Sequence, residues 1–204
     1  MPDALAFVHK FEPASDPTRL PILLLHGTGG DESDLLPLGR AIAPKAALLS
    51  PRGKVIENGM PRFFRRLREG VFDEEDVRRR ANELADFVGE ARKAYGLAKP
   101  VAVGFSNGAN IAAAVLLLRP EALAGAILMR AMPPFRDPPK SELPGTPVLI
   151  LSGRLDPIIP AEGAAQLATA LTDSGAQVER ETAPAGHGLT QEDLRLAAAF
   201  LDKL

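Results

Sequence analysis

Gly104-Phe105-Ser106-Asn107-Gly108 decides how this chain is read. The pentapeptide follows the short apolar run Val101-Ala102-Val103 and opens a small-residue stretch that stops before Pro120. Where a strand turns sharply into a helix at G-x-S-x-G, the central hydroxyl is exposed, and the flanking glycines relieve the crowding of the turn. The turn also sets the serine beside a helix N-terminus, whose free N–H groups favour developing negative charge. Ser106 is therefore the candidate nucleophile. The pattern alone is common, so the weight falls on its surroundings.

Working outward, short apolar runs alternate with helix-period segments. Residues 21–25, 46–49, 101–104, 125–129, 148–151 and 177–181 read as strands, and residues 4–9 as an antiparallel edge strand. Continuous apolar runs suit strands covered on both faces. Helices are predicted over 34–42, 74–95, 107–118 and 161–172, and from the Thr190 cap to about residue 203. The clearest is 74–95, where Val77, Ala81, Leu84, Val88, Ala91 and Tyr95 step by four and three; Asp73 can cap it and Gly96 follows it. This alternation predicts a mostly parallel central sheet with helices on both faces. A length of 204 residues suits one domain spanning the chain. Residues 51–73 show no core period and are long for a connection, which predicts a loop covering the active site.

A serine hydroxyl needs a base to take its proton. Downstream of Ser106 the sole histidine is His187, in Ala185-Gly186-His187-Gly188, between the last strand and the last helix. The acid that orients such an imidazole belongs after an earlier strand. Asp156, in Ser152-Gly153-Arg154-Leu155-Asp156-Pro157, fits best; Asp137, after the preceding strand, is the rival. The Gly-rich bend Leu25-His26-Gly27-Thr28-Gly29-Gly30-Asp31 can aim a backbone N–H at a carbonyl oxygen. That donor is assigned to Thr28, and the second to the backbone of Asn107. His26 reads as a loop-shaping, hydrogen-bonding residue.

Composition bounds the alternatives. Hydrophobic residues make up 46%, charged residues 25%, and the formal net charge is −2, so nothing global argues for nucleic acid or stable membrane insertion. There are no cysteines, which excludes disulfides, thiolate metal sites and cysteine nucleophiles. Asp31, Glu32 and Asp34 read as a solvated helix start rather than a metal site, and no metal or organic cofactor is expected. The N-terminus lacks a signal-peptide pattern, so a cytoplasmic location is the default.

Met60, Phe63 and Phe64 in the long loop, with Met132 and Phe135 after another strand, are the candidate apolar pocket for an acyl or aryl group. Arg62-Phe63-Phe64-Arg65-Arg66-Leu67-Arg68 mixes arginines with aromatics, but an acidic run follows at once. A solvated lid laced with salt bridges is the reading, with an anionic substrate as the alternative.

The motifs Leu25-His26-Gly27-Thr28-Gly29-Gly30-Asp31, Gly104-Phe105-Ser106-Asn107-Gly108-Ala109-Asn110, Gly153-x-x-Asp156-Pro157-x-x-Pro160 and Gly186-His187 resemble the phospholipase/carboxylesterase family over roughly residues 20–204. That family includes acyl-protein thioesterases and bacterial carboxylesterases linked to hydroquinone stress. The resemblance implies a compact α/β-hydrolase fold without a large separate cap domain. It implies Ser106, Asp156 and His187 as a triad, with Thr28 and Asn107 as oxyanion donors, and a homodimer by resemblance only. Many thioesterase members carry glutamine after the nucleophile, where this chain has Asn107. The expected activity is hydrolysis of small to medium acyl or aryl carboxylic esters, with thioesters or lysophospholipids as the alternative. A ligand-binding protein without turnover is a distant third reading.

Overall fold

A computed structural model describes residues 5–68 and 70–204. The chain begins with β1 (His9–Glu12), β2 (Ile22–Leu25), α1 (Leu36–Ile42) and β3 (Leu48–Pro51). Four short strands follow: β4 (Val55–Glu57), β5 (Met60–Arg62), β6 (Arg66–Arg68) and β7 (Val71–Phe72). Then come α2 (Glu74–Tyr95), β8 (Val101–Phe105), α3 (Asn107–Leu118) and β9 (Gly125–Met129). The chain closes with β10 (Pro147–Gly153), α4 (Ala161–Asp173), β11 (Gln177–Ala183) and α5 (Gln191–Leu201).

Seven strands form one sheet in the order β1-β3-β2-β8-β9-β10-β11. The β1–β3 pair is antiparallel and every other pair is parallel. The apolar runs are unbroken because successive side chains serve two different cores. Leu23, Leu25, Val148 and Ile150 pack with residues of α2, α3 and α4. Ile22, Leu24, Leu149 and Leu151 pack on the other face with residues of α1 and α5. Asp73 caps α2 by accepting from the Asp76 N–H, and Gly96 ends it in the left-handed region. In α3 every residue from Asn107 to Leu117 is buried, which suits a helix surrounded by protein.

The structure moves three sequence expectations. The edge strand read at residues 4–9 is His9–Glu12, paired with Leu48–Pro51; Ala4 lies outside the described residues. Phe7 packs on Phe87 with ring centroids 4.9 Å apart, so this residue before β1 covers α2 instead of joining the sheet. The strand read at 46–49 is shifted to Leu48–Pro51. The stretch read as a loop over 51–73 holds two antiparallel pairs, β4–β5 and β6–β7. Asn58-Gly59, both at positive φ, make the two-residue turn of the first. This strap of residues 52–73 crosses the C-terminal ends of the parallel strands, where ligands of open α/β sheets bind. Among the described residues no helix is long and apolar enough to cross a membrane.

Candidate active site

Ser106 lies between β8 and α3 with φ 52° and ψ −112°. A non-glycine residue at positive φ is strained and persists only where its surroundings hold it. Here the Ser106 N–H donates to the Met129 carbonyl at 2.8 Å, and the Ser106 carbonyl accepts from the Asn110 N–H at 3.0 Å. Gly108 is required by close approach: a Cβ there would stand 1.9 Å from the carbonyl oxygen of Leu25. The helix can therefore start directly against the end of β2.

The structure brings Ser106, His187 and Asp156 into one hydrogen-bonded chain. His187 Nε2 is 3.1 Å from Ser106 Oγ, and its Nδ1 is 2.8 Å from Asp156 Oδ2. Asp156 Oδ1 accepts from the N–H groups of Ile158 and Ile159 at 2.8 and 3.0 Å. Burial alone would raise the pKa of Asp156. The Ile159 and Ile158 N–H groups and His187 outweigh it and hold the carboxyl below its ordinary value. With Nδ1–H on Asp156, the neutral imidazole presents Nε2 to the serine hydroxyl. Asp137, the rival acid, is exposed on the segment after β9. The turn carrying Asp156 and the loop carrying His187 meet at Gly153, where a Cβ would stand 2.3 Å from the Gly186 carbonyl oxygen.

Sequence reasoning missed the group that holds the His187 loop. Arg130 directly follows β9, at positive φ and with a fully buried side chain. Its Nη1 and Nη2 donate to the two Asp193 oxygens at 2.8 Å each. Its Nε donates to the Gly186 carbonyl at 3.1 Å and Nη2 to the Gly188 carbonyl at 3.0 Å, so the guanidinium grips both neighbours of His187. Asp193 is also the third residue of the Thr190 capping box on α5. Its burial opposes ionisation, but Arg130 and Thr190 keep its pKa below the ordinary value. The signal the sequence carries for it is the Thr190-x-x-Asp193 spacing of a capping box, of which only the Thr190 cap is read at the start of the last helix.

Thr28, Asn107, Ser106 and His187 line one cleft of about 250 Å³. Thr28 is on the bend after β2, and Asn107 is the first residue of α3, where helix geometry leaves the N–H without an intrahelical acceptor. The strap is tied to both. Arg62 Nη1 donates to Thr28 Oγ1 at 2.6 Å, and the Phe63 N–H donates to Asn107 Oδ1 at 2.7 Å. The Gly29 N–H donates to the Pro61 carbonyl at 3.0 Å. His26, read as loop-shaping, does this work: Nδ1 donates to the Gly27 carbonyl at 2.7 Å and Nε2 accepts from the Gly53 N–H at 3.0 Å. Burial pushes its pKa down, which keeps the ring neutral and Nε2 an acceptor.

The candidate pocket residues divide. Met132 lines the cleft beside Phe72, Phe105, Ile158 and Ile159. Phe135 lines an adjoining groove of about 700 Å³ that continues past Met132 and Phe72. Met60, Phe63 and Phe64 do not line the cleft. Phe63 and Phe64 are 2% and 0% exposed in the core, Phe63 against the His26 ring and Phe64 edge-on to Phe72. Met60 lies beside Gly29, on the bend. Packing claims the aromatics at 63 and 64, and the strap offers the cleft Arg62, Arg66 and Phe72 instead. Among the described residues no group of three histidines or carboxylates is placed to hold a metal ion.

The phospholipase/carboxylesterase family profile matches residues 8–204. MhqD of Bacillus subtilis (strain 168) is 49% identical over 178 residues, which is 86% of this chain and 89% of that protein. The crystal structure of a Bacillus cereus carboxylesterase is 44% identical with a TM-score of 0.95, over 98% of this chain and 95% of that one. A carboxylesterase from Mesorhizobium loti is 32% identical with a TM-score of 0.93, over 99% of this chain and 97% of that one. The chain belongs to the phospholipase/carboxylesterase family and has its α/β-hydrolase fold.

Proposed function

We propose that this member of the family is a carboxylic ester hydrolase that works through an acyl-enzyme on Ser106, with small to medium acyl or aryl esters as substrates. The observation that carries the reading is the unbroken chain from Ser106 Oγ to His187 Nε2 and from His187 Nδ1 to Asp156, with contacts of 3.1 and 2.8 Å. Ser106 Oγ attacks the ester carbonyl while His187 Nε2 takes its proton. The carbonyl oxygen becomes an oxyanion, which accepts from the N–H groups of Thr28 and Asn107. Collapse expels the alkoxide, which leaves as the alcohol with the proton from His187. Water, activated by the same imidazole, then attacks the acyl-serine and releases the acid. Asp156 fixes the tautomer and stabilises the imidazolium.

Labelling with a fluorophosphonate followed by peptide mass spectrometry tests this. The adduct is expected on Ser106, and its absence there sinks the reading. One observation favours longer acyl groups: the groove of about 700 Å³ that adjoins the cleft at Met132 and Phe72. A chain-length panel of oxygen esters and thioesters separates the two. A sharp long-chain or thioester optimum moves the assignment to a thioesterase or lysophospholipase.

A further inference from the structure

We propose that this site selects esters that carry a second, anionic group, a carboxylate a few bonds from the scissile carbonyl, bound by Arg66 and Arg62. The proposal rests on the ester hydrolase reading above and extends it to a substrate class. Among the described residues lining the cleft, Arg62 and Arg66 carry the formal charges and none is an aspartate or glutamate. Both come from the strap, and the apolar wall of Phe72, Phe105, Met132, Ile158 and Ile159 completes the cleft. The space is thus two-sided, with hydrocarbon against one part and guanidinium against another.

The charge there is undercompensated. Glu57 is shared by both arginines: Oε1 accepts from Arg66 Nε at 2.7 Å, and Oε2 stands 3.4 Å from Arg62 Nε. Two cations with one carboxylate leave a net positive wall. The side chain of Arg62 is only 4% exposed, and a buried charge calls for an opposite charge. Desolvation of Arg62 is strong enough to lower its pKa despite Glu57. Arg66 is partly open, with its side chain 31% exposed. Arg62 also reaches Thr28 Oγ1 at 2.6 Å, on the same residue whose N–H is assigned to the oxyanion. The cationic wall therefore lies next to the place assigned to the ester carbonyl, which sets the short spacing. A planar guanidinium matches a carboxylate through paired N–H donors.

The test uses isosteric ester pairs. Monoethyl glutarate is compared with ethyl 5-methylhexanoate, which places the charge on the acyl side. Carboxymethyl butyrate is compared with isobutyl butyrate, which places it on the alcohol side. In at least one pair the charged ester is expected to have the higher kcat/KM by about tenfold or more, chiefly through KM. That ratio should fall about tenfold in Arg66→Gln, fall less in Arg66→Lys, and shrink with added salt. A neutral preference in both pairs, or a ratio that Arg66→Gln leaves in place, overturns the proposal. Calorimetry on Ser106→Ala reads recognition without turnover. Tighter binding of the charged ester, lost on combining Ser106→Ala with Arg66→Gln, supports the anion site even if fluorophosphonate labelling rejects Ser106 as nucleophile. Equal binding of both esters counts against the anion site even if Ser106 is labelled.

Discussion

The two walls of the cleft are built differently. The wall with Asp156 and His187 leaves the ends of β10 and β11, strands locked in register along seven residue pairs. Behind it, Arg130 and Asp193 form a fully buried ion pair that grips the carbonyls on either side of His187. The facing wall is the strap. Its pairings are two short antiparallel pairs, and it is held to the rest by the buried Phe63 and Phe64, by hydrogen bonds at Gly53, Pro61, Arg62 and Phe63 and by partly exposed ion pairs such as Arg52–Glu32. Proton transfer demands placement to within about 0.5 Å, and only elements with locked neighbours supply that. Recognition tolerates a wall whose side chains adjust. The sheet fixes the bond-making groups, and the strap chooses what they meet.

The largest effect should come from breaking the first wall at its working end. Ser106→Ala and His187→Ala are each expected to lower kcat by on the order of 10⁴-fold or more. The double variant should be little worse than either single one, because neither group acts without the other. Steady-state kinetics on a neutral ester checks this. Losses that multiply in the double variant would mean two independent roles, and the hydrogen-bonded chain would not be the functional unit.

The next largest concerns the support behind that wall. Arg130→Ala leaves Asp193 buried and unpaired and strips donors from the Gly186 and Gly188 carbonyls. Loss of one partner of a buried pair costs about 3–5 kcal/mol, which urea unfolding will read. Arg130→Met with Asp193→Leu removes both charges and should recover much of that stability. It should not recover the rate, because the carbonyls flanking His187 stay ungripped. Recovery of both would reduce the pair to a stability device.

The same contrast sets what could be read in the sequence. Ser106 and Asp156 each follow a strand end that is legible because an apolar run stops there; His187 follows the polar, mostly exposed β11 and is legible as the sole histidine downstream of Ser106. Arg130 was not, since a charge after an apolar run reads as an exit to solvent, and its partner Asp193 lies 63 residues on. The strap hid more. Asn58-Gly59 is a hairpin signal, but the flanking residues lack the alternation that would have given it weight. Met60, Phe63 and Phe64 are apolar next to a site, and apolarity cannot say whether a side chain turns to the ligand or to the core. Phe63 and Phe64 turned to the core because the strap needs anchors. The arginines, read mainly as a solvated face, supply two residues to the cleft.

The smallest effect tests how the strap is fastened. His26 accepts the Gly53 N–H through Nε2, and burial depresses its pKa. A proton on Nε2 would cancel that acceptor. The unfolded chain binds a proton at its ordinary pKa of about 6.5, while the folded chain resists it. The sign follows: stability is full above that value and is lost as pH falls below it. The ceiling for one proton is about 1.4 kcal/mol per pH unit. The carboxyls with lowered pKa, the buried Asp76, Asp156 and Asp193 and the more exposed Glu12, Asp16, Glu32, Glu121 and Glu192, act in the same direction but only as pH falls below their ordinary values of about 4.5 or less, outside the window. Urea midpoints between about pH 7.5 and about pH 5.5 should therefore fall in the wild type and fall less in His26→Gln. The strap should loosen first, seen as faster amide exchange at Gly53 than at His187. Equal loosening of the two walls would show that they share one cooperative unit, and the division between a fixed wall and an adjustable one would not hold.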